Sequence, residues 1–75
     1  MNNVKSPNGV VGELSVREKE VLLLVAEGCT GEEIAGKLCV ARITVDKHRT
    51  SIIKKLHAKN TSHALVIAMR QGIIK

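Results

Sequence analysis

Residues 30–56 decide the fold; they read TGEEIAGKLCVARITVDKHRTSIIKKL. Thr30 and Glu33 have the spacing of a capping box, in which the Thr hydroxyl accepts from the first helical turn and the Glu carboxylate reaches back. The apolar residues that follow share the spacing of one helix face: Ile34, Ala35 and Leu38. A tight connection then leads into a longer helix from about residue 42 to residue 56. A short helix, a tight turn and a longer basic helix predict a helix-turn-helix.

The longer helix has two different faces. Its inward side carries Val45, His48, Arg49, Ile52, Ile53 and Leu56. The opposite side carries Asp46, Lys47, Thr50, Lys54 and Lys55. The major groove of duplex DNA admits one helix, whose first turns present side chains to the base edges. The residues suited to that role are Arg42, Thr44, Lys47 and Thr50, while Lys54 and Lys55 are suited to phosphates. Periodicity and charge also allow a plain amphipathic helix with a solvated lysine face.

The segments on either side predict two more helices. A second capping box, Ser15 to Glu18, opens a helix with apolar positions that end at a left-handed Gly28: Val21, Leu22, Leu24 and Val25. After the longer helix, residues 57–61 predict a turn, Ser62 an N-cap and Gly72 a helix stop. The fold class is therefore all-α, a compact four-helix domain over residues 13–75. Residues 1–12 are polar, contain Gly and Pro, and predict a flexible lead-in or linker.

The fourth helix is apolar on every side from Ala64 to Met69. One side can pack on the other helices, and the remainder would form an exposed apolar stripe, which small monomers rarely leave uncovered. We expect a homodimer with two-fold symmetry across this helix, with these candidate interface residues: Val66, Ile67, Met69 and Ile73. The alternative is that the stripe covers the tail or packs on a sensor domain.

Charge is distributed unevenly along the 75 residues. Residues 1–39 hold four Lys or Arg and six Glu, a net charge of −2, whereas residues 40–75 hold eight Lys or Arg and one acid, a net charge of +7. A basic half of this kind favours a polyanionic partner, nucleic acid first. The chain contains no Phe, Tyr or Trp, which argues against proteins that stack single-stranded bases on aromatic rings.

Other function classes find little support in the sequence. No Ser, Cys or carboxylate is spaced to pair with His48 as a catalytic base, so we predict no catalytic residues and no enzyme. The ten-residue offset between Cys29 and Cys39 matches no zinc site, so we expect two reduced cysteines, no metal and no cofactor. The longest apolar runs are six residues, and the N-terminus has no secretory signal, so we expect a cytoplasmic protein without a membrane partner.

Five stretches, in order, resemble the LuxR-type DNA-binding domain that also occurs in NarL/FixJ response regulators and GerE. The first, LSVREKEVL at 14–22, resembles its opening L-[ST]-x-R-E-x-E-V-L. The second, GCTGEEIA at 28–35, resembles G-x-[ST]-N-x-E-I-A, and ITVDKH at 43–48 resembles x-T-V-K-x-H. KLHAKN at 55–60 resembles K-L-G-V-x-N, and Ala64 with Gly72, Ile73 and Ile74 resembles the close of the domain. The resemblance covers roughly residues 13–74.

The resemblance implies a four-helix domain that binds double-stranded DNA as a dimer and regulates transcription. In such domains the third helix enters the major groove and the fourth makes the dimer contact. The positions of Asp46, Lys47 and Thr50 commonly read bases, and that of Thr44 commonly touches a phosphate. Full-length relatives often carry an N-terminal receiver or ligand-sensing domain, which makes this chain either an excised effector domain or a stand-alone regulator.

Several residues depart from the family pattern. Asp46 replaces a favoured Lys; it repels phosphate but can accept a hydrogen bond from cytosine N4. Gly31 and Glu32 replace a frequent Asn-Lys, and Thr61 a frequent Arg. Ala41 replaces a common Ser/Thr N-cap, a loss of about 1 kcal/mol. His57 stands where the pattern has Gly or Asn, a position that needs positive φ.

These departures predict an unusual sequence preference or a lowered affinity for DNA. Lys47 and Arg49 restore part of the lost positive charge. The alternative function is a helical protein–protein interaction module with weakened or lost DNA binding, in contact with RNA polymerase or a partner regulator.

Overall fold

The computed structural model describes residues 13–74, which form four α-helices and no strand. The helices are α1 (Val16–Ala26), α2 (Gly31–Leu38), α3 (Arg42–Leu56) and α4 (Thr61–Arg70). The all-α class and the four-helix architecture predicted from the sequence are confirmed. The predicted flexible lead-in, residues 1–12, and the last residue, Lys75, lie outside the described residues.

Side-chain caps begin three of these four helices. Both predicted capping boxes are present: the side-chain oxygens of Ser15 and Thr30 accept from the amides three residues on, and the two Glu side chains reach back to the N-cap amides. Ala41 begins α3 without a side-chain cap, as its methyl group requires. The prediction for α4 is wrong by two residues, because Asn60 is the N-cap and accepts from the His63 amide at 2.8 Å.

All four helices end in the same way, with one residue of positive φ. The four residues are Gly28 (91°), Cys39 (57°), His57 (54°) and Gly72 (73°). In each case the amide of the following residue bonds back to the last helical turn, for example Ala58 N–H to the Ile53 carbonyl at 3.0 Å. The positive φ of His57 is confirmed. Cys39 has the same conformation, which the sequence pattern did not predict.

The core is aliphatic throughout and receives residues from every helix. The fully buried residues of the helices are Val21, Leu22, Ile34, Val45, Ile52, Ala64 and Ala68. Leu14, before α1, and Ile74, after α4, are also buried, so both ends of the described chain pack into the same core. Helix α3 packs against each of the other three helices. Its inner side is thus covered, and its outer side is the one left to solvent.

A buried ion pair joins α1 to α3. Glu18 is 4% exposed, and its Oε1 accepts from the Ser15 amide at 2.8 Å and from Lys55 Nζ at 2.9 Å. Burial is the largest single influence and raises the pKa of Glu18. Hydrogen bonds from Ser51, Lys55 and the Ser15 amide, with the charge of Lys55, outweigh it and lower the pKa from 4.5 to about 2. The carboxylate is therefore ionised at neutral pH and holds α3 in place.

Candidate nucleic-acid interface

The outer face of α3 is a polar and basic surface of exposed side chains. A shallow cleft of about 450 Å³ runs along it, lined by Ile43, Asp46, Lys47, Thr50, Ser51 and Lys54. The residues lie on one side because 3.6 residues complete a turn, so positions 43, 46, 47, 50 and 54 share a face. The core residues Val45, Ile52 and Leu56 lie on the opposite side. Four of the predicted DNA-contacting residues, Asp46, Lys47, Thr50 and Lys54, therefore come together here.

Arg42 occupies the start of α3, beside the start of α2. Its Nε lies 3.3 Å from Asp46 Oδ1, an ion pair between two half-exposed side chains one helical turn apart. Its guanidinium also lies against the backbone of Gly31, the first residue of α2. The arginine thus connects the two helices of the helix-turn-helix on the solvent side.

Two threonines of α3 were predicted to contact DNA, and their settings differ. Thr50 is exposed, and its hydroxyl donates to the Asp46 carbonyl at 3.0 Å, which leaves the hydroxyl oxygen as an acceptor facing the cleft. Thr44 is half-buried and lies beside the cleft rather than in its lining.

The structure separates the two neighbouring lysines of α3. Lys54 is exposed and lines the cleft. Lys55 is half-buried and turned towards α1, where Nζ contacts Glu18 and donates to the Glu13 carbonyl at 3.2 Å. The predicted grouping of Lys55 with Lys54 on the face opposite the core is wrong, because the buried carboxylate of Glu18 engages the Lys55 ammonium. Arg49 is also half-buried, and it does not line the cleft of the outer face.

The sequence pattern did not predict the exposure of Ile43 on this face or the contact that Gly31, at the start of α2, makes beside it. Ile43 is 63% exposed and lies in the first turn of α3. A large aliphatic side chain in such a position suits a thymine methyl group, which is the apolar feature of the major groove. Gly31 is buried beneath Arg42, and a Cβ atom there would lie 2.6 Å from Arg42 Nε. The signal for Ile43 was its helical spacing from Lys47 and Thr50; no sequence signal pointed to the Gly31 contact.

Helix α4 presents a second exposed surface. Val66 is 43% exposed and Met69 is 54% exposed, three residues apart on one side of the helix. Ile67 and Ile73, the other predicted dimer residues, are half-buried and pack against the core. The apolar stripe is therefore narrower than the sequence alone indicated and centres on Val66 and Met69.

A family model described as bacterial regulatory proteins of the luxR family matches residues 12–68. The chain belongs to the LuxR family. Its four helices are the DNA-binding helix-turn-helix domain found in these transcriptional regulators. The resemblance drawn from the five sequence stretches is thereby confirmed.

Relatives of this LuxR-family domain include regulators from several bacteria. The uncharacterized response regulatory protein YgeK of Escherichia coli K12 is 41% identical over 61 residues, which cover 81% of this chain and 42% of YgeK. The transcriptional regulatory protein LnrK of Bacillus subtilis is 34% identical over 73 residues, covering 97% of this chain and 33% of LnrK. The chain thus spans less than half the length of these two relatives.

A solved structure of similar size has the same fold. The transcription factor GerE superposes with a TM-score of 0.80 at 27% identity, covering 83% of this chain and 92% of GerE. The response regulator ChrA of a heme-sensing two-component system also gives a TM-score of 0.80, at 33% identity over 84% of this chain and 31% of ChrA.

None of the helices within residues 13–74 of the LuxR-family domain has the length and apolar character needed to cross a membrane. Among the same residues, no three His, Cys, Asp or Glu side chains come together as a group that could hold a metal ion.

Proposed function

We propose that this domain binds duplex DNA with sequence preference by placing the outer face of α3 in the major groove. The observation that carries the proposal is the composition of that face. It is exposed, it combines cationic and hydrogen-bonding side chains, and it belongs to the second helix of a helix-turn-helix. The opposite side of α3 is covered by the other helices, so this is the face that a groove can receive.

The side chains along α3 divide into two roles. Lys47 and Thr50, near the middle of the cleft, face base edges with Asp46, while Ile43 is suited to a thymine methyl group. Lys54, near the end of the helix, is suited to a phosphate, as is Thr44 at the margin of the cleft. Lys55 is left out of this interface because Glu18 holds it.

The test is fluorescence anisotropy of labelled duplex DNA across a salt series; the label is on the DNA because the chain has no aromatic residue. Log affinity should fall with log salt at about −0.9 per phosphate contact, with roughly four to eight contacts per dimer. Lys54→Gln should lower affinity for all sequences and reduce the salt slope by about 1. Lys19→Gln is the matched control, because it removes the same charge from the exposed surface of α1.

A lack of binding by the unaltered chain at low salt would refute the proposal. Equal losses in Lys54→Gln and Lys19→Gln would refute the role of α3 and leave only attraction by net charge. The first of these results would favour the interaction-module alternative, with RNA polymerase as the first partner to test.

We further propose that the domain acts as a homodimer through α4. The support is the exposed pair Val66 and Met69, which a contact of two-fold symmetry would bury against the same residues of a second copy. Val66→Glu should yield a monomer in sedimentation equilibrium and weaken binding to paired half-sites. Val16→Glu is the control, since Val16 on α1 is 75% exposed and far more open to solvent. Equal association of both variants would refute the α4 dimer.

A transcription regulator of a bacterial family acts on the chromosome, so this proposal also assigns the chain to the cytoplasm. No cofactor is part of the proposed function, because base and phosphate recognition require only the side chains of α3.

A further inference from the structure

We propose that Arg42, seated on Gly31, is a positioning residue that holds the Asp46 carboxylate ready to accept a hydrogen bond from a cytosine amino group. This inference rests on the proposed placement of α3 in the major groove. It assigns a preference for cytosine to Asp46. It also gives Arg42, and Gly31 beneath it, a positioning role that acts through Asp46.

The Arg42 guanidinium can lie against the backbone of residue 31 because this residue has no side chain. A Cβ atom at Gly31 would lie 2.6 Å from Arg42 Nε, 2.8 Å from Cζ and 3.0 Å from Nη2. Any side chain at this position would therefore displace the guanidinium. The backbone of α2 would not have to move, since the atoms involved are the far end of a flexible side chain. The absence of a side chain at residue 31 thus leaves room for the guanidinium without straining the fold.

The guanidinium in turn pairs with Asp46. Arg42 Nε lies 3.3 Å from Asp46 Oδ1, across one turn of α3. An ionised carboxylate has about four acceptor positions, so a single ion pair leaves capacity for a further donor. Asp46 lines the cleft on the outer face of α3, where that donor would arrive. The positive guanidinium also offsets the repulsion between Asp46 and the phosphates of a bound duplex.

Cytosine is the base that matches this acceptor. In the major groove cytosine presents its N4 amino group as a donor, whereas guanine presents two acceptors. Adenine presents its N6 donor beside the N7 acceptor, and N7 would face a carboxylate that has no proton to give. A carboxylate therefore favours cytosine, and an amide side chain, which donates and accepts, favours adenine.

The experiment is selection of duplex sequences from a randomised library by the 75-residue chain and three variants. The unaltered chain should select cytosine at one position of each half-site, with a preference of about 5- to 150-fold over other bases in competition binding. Asp46→Asn should move the preference at that position to adenine. Gly31→Ala should reduce the cytosine preference by up to about fivefold, the value of an exposed orienting ion pair, and leave affinity for random duplex unchanged.

Gly36→Ala is the matched control for Gly31→Ala. Both substitutions add one methyl group to α2, and a Cβ atom at Gly36 meets no atom within 4 Å beyond its chain neighbours and the backbone of its own helix. Gly36→Ala should keep the full cytosine preference. If circular dichroism shows that Gly31→Ala does not fold, Arg42→Ala replaces it; this variant should reduce the cytosine preference in addition to lowering affinity for all duplexes.

The outcomes separate this inference from the proposed function. If the unaltered chain binds no duplex, the proposed function fails and the inference fails with it. If it binds but Asp46→Asn selects the same base, the reading of cytosine by Asp46 is wrong. If Asp46→Asn shifts the base but Gly31→Ala, or its replacement Arg42→Ala, keeps the full preference, Arg42 does not position Asp46. A phosphate contact alone would lower affinity equally for every sequence and leave the preference intact.

Discussion

Replacement of Glu18 by Gln tests the ion pair that holds α3 against α1. Gln has the shape of a protonated Glu and keeps a side chain able to cap the amide of Ser15, so the variant removes the charge and little else. The pKa of Glu18 falls from 4.5 to about 2 in the folded chain. At about 1.4 kcal/mol per pH unit, the ionised form contributes about 3 kcal/mol to the free energy of unfolding. A domain of this size has about 4–11 kcal/mol in total.

The pH dependence of stability identifies the source of this contribution. Because the folded pKa is lowered, the contribution is fully present above pH 4.5 and is lost as the pH falls towards about 2. Glu18→Gln should therefore lose about 3 kcal/mol near neutral pH and approach the unaltered chain at the acid end of this range. Urea unfolding followed by far-UV circular dichroism measures the free energy of unfolding of both proteins at each pH, and it suits a chain without aromatic residues.

Glu20→Gln is the control for this prediction. Glu20 lies on the same helix, is about half exposed and pairs with Arg17 at 3.3 Å, so its loss should change stability by at most about 1 kcal/mol. A Glu18→Gln variant that loses no more than this control near neutral pH would refute the argument. So would a loss that stays constant with pH, because packing rather than charge would then be responsible.

Three further predictions concern α3 and its ends. Lys54→Gln and Lys55→Gln remove the same charge from adjacent positions. In anisotropy, Lys54→Gln should weaken duplex binding, and its stability should be unchanged. In urea unfolding, Lys55→Gln should lower the free energy of unfolding by about 3 kcal/mol or more. Equal effects of the two would contradict the assignment. His57→Gly should raise the free energy of unfolding by about 0.5–1 kcal/mol because it relieves the left-handed conformation, and an unchanged or lower value would contradict this. Ala41→Ser should add about 1 kcal/mol by capping α3, and no gain in thermal unfolding would count against an uncapped start.

The sequence predicted the helices well because their signals are local. A capping box needs residues three apart, and the buried faces follow the helical period, so α1, α2 and α3 were placed from spacing alone. The start of α4 was misplaced because Ser62 and Asn60 are both good N-caps, and the choice depends on the turn after α3. The left-handed Cys39 was missed because Cys carries no preference for that conformation, which the tight turn of the helix-turn-helix imposes.

The candidate interface was predicted less completely, because it depends on contacts between distant segments. Helical spacing placed Asp46, Lys47, Thr50 and Lys54 together. It could not show that Lys55 turns to Glu18, which lies 37 residues earlier in the chain. The seat of Arg42 on Gly31 likewise joins two helices, and only the packing of α2 on α3 brings these residues together.

The different roles of Lys55 and Lys54 in α3 follow from the free-energy cost of burying a charge. A carboxylate as buried as Glu18 requires a cation and hydrogen bonds, and without them it would be strongly destabilising. Lys55 meets this need, so its charge is paired within the fold. Lys47 and Lys54 lie on the exposed side of the same helix, where they do not neutralise a buried carboxylate. Their long side chains can reach a phosphate there. Helix α3 thus carries one lysine, Lys55, that pairs with a buried carboxylate, and two lysines, Lys47 and Lys54, that are suited to DNA. What distinguishes them is whether a buried acid lies beside the side chain, not their order in the sequence.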